Sequence, residues 1–209
     1  KLAAELDAQL PRIDVLVNNA GAINGERKLT PEGIETTFGV NHLGYFLLTG
    51  LLLDKLKASA PSRIVNVASE AHRGASMNFD DLGGEKSYSS WNAYCQSKLA
   101  NILFTRELAR RLEGSGVTAN CLHPGVVATG FGRSGGALMR LAVRVIRPFI
   151  ITAEKGAQTA IYLASSPEVE GVSGKYFDKC NAVTPSAAAE DDAAARRLWE
   201  LSEQLTAAT

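Results

Sequence analysis

This chain has no net charge, no cluster of cysteines and no apolar run long enough to cross a bilayer. Lysine plus arginine and aspartate plus glutamate number 22 each, so no global field draws the molecule to nucleic acid or acidic lipid. Such a partner would need a local patch. The richest apolar stretch, Tyr45 to Leu53 (YFLLTGLLL), is far shorter than the roughly 20 residues of a spanning helix. It runs on into DKLK and reads as core helix. Cys95, Cys121 and Cys180 are odd in number and far apart, in neither a disulfide framework nor a metal-ligand spacing, so a reduced, cytoplasmic setting is expected. His42, His72 and His123 are equally scattered, and no metal site is expected. No signal peptide is visible, but the first residue is not Met and the chain opens inside a helical pattern, KLAAELDAQL. It is expected to be part of a longer protein.

What is present is ordinary globular material: 209 residues, 45% apolar and 21% charged, enough for one domain over residues 1–209. Ile13 to Val17 (IDVLV) reads as a buried strand that stops at the small polar turn Asn18-Asn19-Ala20-Gly21. Thr30-Pro31 has the chemistry of a helix start, a capping hydroxyl before proline, and predicts a helix to about Lys57. Arg63 to Ala68 is a second strand, closed by Ser69. A helix from about Ser90 to the glycines Gly114 and Gly116 follows, then a strand, Val117 to Leu122, ending at His123-Pro124-Gly125. A helix near Ala153–Ser165, a short strand near Lys175–Phe177 and a last helix near Ala188–Gln204 complete the chain. The alternation predicts an α/β fold, a Rossmann-like doubly wound parallel sheet in three αβα layers. Ligands bind such sheets at the carboxyl ends of the strands, where the Asn18–Gly21 turn, Ser69 and Pro124-Gly125 all fall.

One short stretch carries chemistry of its own. In Asn92-Ala93-Tyr94-Cys95-Gln96-Ser97-Lys98 the tyrosine and lysine are four apart, hence neighbours on one helix face. An ammonium about 4 Å from a phenol favours the phenolate by roughly 4 kcal/mol at an effective dielectric of about 20. Such a pair makes a proton donor and acceptor for neutral pH, although the spacing alone also suits a plain solvated face.

The remaining motifs decide. NNAG after a strand, Val40-Asn41 in the next helix, a serine after the following strand, YxxxK, and HPG after the next strand together resemble a classical short-chain dehydrogenase/reductase. TFGVNHLGYFLLT, PSRIVNVASEAH, AYCQSKLANILFTRELARRL, GAQTAIYLASSPEVEGVSGKYF and RRLWELSE are similar to its retinol dehydrogenase-like branch. The 25 residues from Ser69 to Tyr94, with NFDDLGGEKSYSSWN between, match an insertion of that branch.

The resemblance implies a hydride transfer between NAD(P)(H) and an apolar alcohol or its carbonyl. Tyr94 would be the general acid/base, Lys98 would lower its pKa and hold the nicotinamide ribose, and Ser69 would hydrogen-bond the substrate oxygen. Asn41 would bend its helix and hold a water that links Lys98 to solvent. Asn18, Ala20 and Gly21 would abut the adenine-side ribose, while Pro124, Gly125, Val127 and Thr129 would line the nicotinamide. Taken singly, Ser69, Asn41 and Asn18 also read as turn and kink residues, and His72 and Cys95 read as structural. Non-catalytic nucleotide-sensing or scaffold proteins on this fold commonly lose the Tyr or the Lys, and both are present. An extended-type epimerase would share the pair without NNAG and HPG.

Residues 131–151 hold four arginines, Arg133, Arg140, Arg144 and Arg147, and no acid, interleaved with Leu138, Leu141, Val145 and Ile146. In the family this region is the substrate lid; a basic amphipathic helix also suits a membrane surface. The family's opening strand, its T-G-x-x-x-G-x-G turn and the following helix have no counterpart, since the first residues correspond to the helix before the fourth family strand. The groups that would tell NADP from NAD are among those. Relatives of this branch mostly take NADP, which is the expectation here, with NAD left open. Members often pair through the helices of Asn41 and Tyr94, implying a homodimer.

Overall fold

The computed structural model describes residues 1–125 and 151–207. Five strands form one sheet in the order β1 (Val15–Asn18), β2 (Ser62–Val67), β3 (Val117–His123), β4 (Tyr176–Asp178) and β5 (Asn181–Val183). The first four are parallel and β5 returns antiparallel to β4. Registers such as Val17 opposite Val65, Val65 opposite Asn120 and Leu122 opposite Phe177 bring the carboxyl ends of the strands level.

Because strand side chains alternate, each strand feeds two cores. Ile64 and Ala119 pack under α3 (Gly44–Ala58) and α4 (Ser90–Arg111) with Leu52, Leu56, Phe104 and Leu108. Val65, Val67 and Leu122 face the other way, onto Leu163 of α5 (Ala153–Ser165) and Val169. Helices on both faces make the sheet doubly wound, as the alternation predicted. The last helix, α6 (Asp192–Ala207), docks on α4 through Leu198 and Trp199, and α1 (Leu2–Gln9) packs on α3. No helix among the described residues is long and apolar enough to cross a membrane.

α4 has 14 of its 22 residues buried, so it is a central rod rather than a surface helix. Leu103 on it is wholly buried. Leu103→Ala is expected to cost about 2–5 kcal/mol in urea unfolding, the usual range for an uncollapsed core cavity.

One local expectation needs correction, and one strand is new. Thr30-Pro31 does not start a helix. Thr30 and Ile34 bond each other in a tight loop that Gly33 closes at φ +82°, and Leu29 bridges to Glu35. The cap is the buried carboxylate of Glu35, which accepts from the backbone of Thr37 and Phe38 at 2.9 and 2.8 Å and opens α2 (Thr36–Phe38). β5 was not anticipated, because its turn places Lys179 and Cys180 at positive φ without the glycine or asparagine that announces such turns.

Between α2 and α3, Gly39–Leu43 form one π-helical turn. Such a widening pushes a side chain out of the regular helical path, and the residue at its centre is Asn41.

Candidate active site

Strand β2 delivers Ser69 at its carboxyl end, just before a 3₁₀ turn, Glu70–Gly74. Helix α4 delivers Tyr94 in its second turn and Lys98 one turn later. The Ser69 hydroxyl lies close enough to the Tyr94 phenol to favour its ionised form, so residues 25 apart in sequence meet at one point. Lys98 Nζ lies 5.8 Å from the centres of both the Tyr94 and the Tyr45 rings and donates to the Val67 carbonyl at 3.0 Å.

Asn41, set inward by its π turn, bridges three elements. Its Oδ1 accepts from the Ala22 amide at 2.7 Å, and its Nδ2 donates to the Ala22 carbonyl and to Ser97 Oγ, both at 2.9 Å. A Cβ placed on Gly21 would stand 3.4 Å from Asn41 Oδ1 and 3.5 Å from Lys98 Nζ. The strand-end turn Asn18–Gly21, Asn41, Lys98, Tyr94 and Ser69 are therefore one cluster. Asn18 enters it from behind, since its buried amide donates to Thr49 Oγ1 and Asn66 Oδ1, tying β1 to β2 and α3. Its side chain supports the turn from the core side.

Electrostatics differ from the sequence expectation that Lys98 makes Tyr94 more acidic. Burial raises the Tyr94 phenol above its ordinary value, and the Ser69 hydroxyl only partly opposes this. Burial also lowers Lys98 to about 8, so the ammonium is itself only partly charged just above neutrality. Its proton points to a carbonyl, not to the phenol. In this arrangement the pair is a protonated phenol beside a lysine that readily gives up its proton.

Pro124 and Gly125 follow β3 at the same sheet end. Gly125 holds φ +83°, a backbone conformation that strains any residue with a Cβ, and a Cβ there would lie 2.6 Å from Ile151 Cδ1 and displace that side chain. Val127, Thr129 and the 131–151 arginine region lie outside the described residues, apart from Ile151. A wide cleft among the described residues lies elsewhere, at the amino ends of the strands beside Arg63, Arg110 and Glu113. Its hydroxyls, Ser62, Thr118, Ser165 and Ser173, have no histidine, lysine or cysteine among the lining residues to activate them, and of its carboxylates Glu107 is taken up by Arg110 and Arg111. No group of His, Cys, Asp and Glu among the described residues is disposed to hold a metal ion.

A parallel sheet whose strand ends gather a serine, a tyrosine, a lysine one turn on and a buried asparagine defines a class of dehydrogenase. Residues 1–137 match the family model for short chain dehydrogenases, and the chain belongs to that family. Among its relatives, human retinol dehydrogenase 14 is 54% identical over 204 residues, covering 95% of this chain and 60% of its own. Human retinol dehydrogenase 13 is 49% identical over 98% of this chain and 64% of its own. The chain thus spans about three fifths of the length of the curated relatives it matches. A crystal structure of an uncharacterised protein from Mycobacterium paratuberculosis superposes with a TM-score of 0.76 at 36% identity, over 98% of this chain and 70% of that one. A second, from Beutenbergia cavernae, assigned as an NAD(P)-dependent gluconate 5-dehydrogenase with NADP bound at low occupancy, gives 0.63 at 29% identity over 84% and 68%.

Proposed function

We propose that this chain carries the proton-transferring part of an NAD(P)-dependent oxidoreductase that interconverts an apolar alcohol and its aldehyde or ketone. The observation that carries the reading is the meeting of the Ser69 and Tyr94 hydroxyls at the carboxyl end of the sheet, with Lys98 buried one turn along α4. Tyr94 delivers its proton to the carbonyl oxygen, and Ser69 donates a second hydrogen bond where negative charge develops. Lys98 is suited to sugar hydroxyls: its ammonium meets one acceptor among the described residues and borders the bare face of Gly21. A nicotinamide bound here would supply or accept the hydride. Ala20, Gly21, Pro124, Gly125, Val127 and Thr129 are the proposed lining for the cofactor, with Asn41 fixing the loop at Ala22.

NADP is favoured by the likeness to the Beutenbergia structure, and an apolar substrate by the names of the retinol dehydrogenase relatives. We take residues 1–209 as one domain with 131–151 as its lid, and a reducing, cytoplasmic setting from the three free thiols. The test is consumption of NADPH, with NADH in parallel, by the full-length protein given all-trans-retinal, a steroid ketone or a lipid aldehyde. Turnover of at least one is expected. No turnover of any, with either cofactor, would overturn the reading.

A further inference from the structure

The peptide unit that joins Ser69 to Glu70 is gripped at both of its polar ends by imidazoles from different parts of the chain. At its oxygen end, His72 Nδ1 lies 2.7 Å from the Ser69 carbonyl. The other ring nitrogen of His72, Nε2, accepts from the Ser186 amide at 3.1 Å. An amide can only donate, so Nε2 bears no proton and the proton is on Nδ1, pointing at Ser69. At the nitrogen end, the Glu70 amide donates to His123 Nδ1 at 3.2 Å. By the same reasoning His123 holds its proton on Nε2. The two neutral rings are thus opposite tautomers, one donating and one accepting, on the two ends of a single peptide plane.

Fixing that plane fixes ψ of Ser69, and with it the direction in which the Ser69 hydroxyl leaves the chain toward Tyr94. We propose that His72 and His123 are positioning residues that lock the Ser69–Glu70 peptide and so aim the serine hydroxyl at the reacting oxygen. This deepens the oxidoreductase reading and rests on it for its kinetic consequence. It also links three segments that the serine alone would not join. His123 comes from the end of β3 beside Pro124-Gly125, and Ser186 lies just before the terminal helix.

The surroundings keep both rings neutral. His72 is wholly buried, with the edge of the Tyr176 ring from β4 at 5.0 Å between centres, Glu70 and Arg73 on its own turn and His123 across from it. His123 faces Asp178 of β4, Lys179 of the following turn, and Glu70. Burial is the leading cause that depresses both imidazoles. Protonation would remove the lone pair each ring offers to an amide, so the clamp opens only on the acid side of the usual imidazole range.

His123 is half-buried and can be replaced with less disturbance than His72. In His123→Asn the amide oxygen stands where Nδ1 stood and can still accept from Glu70; in His123→Leu nothing accepts. With full-length protein, NADPH and a carbonyl that the parent reduces, His123→Leu is expected to lower kcat about tenfold to a hundredfold, the usual effect of a misaimed group. The KM for NADPH is expected to stay unchanged, and His123→Asn to recover most of the rate. A leucine variant at the parental kcat, or an asparagine variant as slow as the leucine one, would overturn the proposal. An independent readout needs no turnover: long-range ¹⁵N–¹H correlation spectra of the parent are expected to show His72 protonated on Nδ1 and His123 on Nε2. The reverse tautomer on either ring, or a charged ring at neutral pH, would overturn the clamp. A parent that reduces no carbonyl but shows these tautomers would instead count against the oxidoreductase reading.

Discussion

Tyr94→Phe is expected to lower kcat for carbonyl reduction by about 10²- to 10⁴-fold, the contribution of a positioned general acid. The loss falls on kcat because the ring remains. Tyr94 packs beside Trp91 and under Lys98, and phenylalanine keeps those contacts. The hydroxyl and its interaction with Ser69 disappear, at a cost to stability of about 1 kcal/mol. The pH dependence should differ between directions. Burial holds the Tyr94 proton above the ordinary phenol range, so a donor is fully loaded across neutral pH and reduction stays flat there. Oxidation needs the phenolate and is expected to accelerate as pH rises on the alkaline side. Parent and variant rates with NADPH and a carbonyl, followed across pH in both directions, check this. A phenylalanine variant at the parental rate would remove Tyr94 from the chemistry.

The cluster was legible in the sequence because its members sit at structurally forced places. Ser69 and Pro124-Gly125 follow apolar β-rich runs, and a parallel sheet necessarily brings such ends together. Tyr94 and Lys98 needed only helical spacing. What the sequence did not disclose depends on where side chains turn once the chain is packed. Asn18 looked like a ligand-facing turn residue, yet its amide is drawn into the core because Asn66 and Thr49 leave an acceptor on each side. Glu35 as a helix cap was missed because the loop from Leu29 folds back on itself, a contact with no local motif. His72 read only as structural and His123 only as the first residue of the HPG turn, since their partners are main-chain groups, which any sequence possesses. The net direction of the Tyr94 shift was hidden for a related reason: spacing gives the distance between two groups but not the burial of each, and here burial is the leading cause at both.

That burial has a measurable consequence at Lys98. The residue is 3% exposed and its folded-state pKa is lowered from 10.5 to about 8. At about 1.4 kcal/mol per unit, holding the charged form inside costs roughly 3 kcal/mol at neutral pH. The sign follows from proton binding. Between about 8 and 10.5 the unfolded chain keeps the lysine proton while the folded protein has released it, so parental stability rises as pH climbs through that window, and below it the penalty is complete. Lys98→Met keeps the apolar stem and removes the charge. The carbonyl it leaves, Val67, still accepts from Asn101 Nδ2 at 3.2 Å, so no orphaned acceptor offsets the gain. Lys98→Met is therefore expected to be about 1–3 kcal/mol more stable than the parent at pH 7, to lose the alkaline rise in stability, and to have little or no oxidoreductase activity. Urea unfolding at neutral and alkaline pH, beside the NADPH assay, measures all three. A variant that is both inactive and less stable would mean that Lys98 holds the fold together. One that is more stable and inactive would mean that the protein tolerates an unfavourable buried charge for the sake of its site, the trade expected of a residue kept for function.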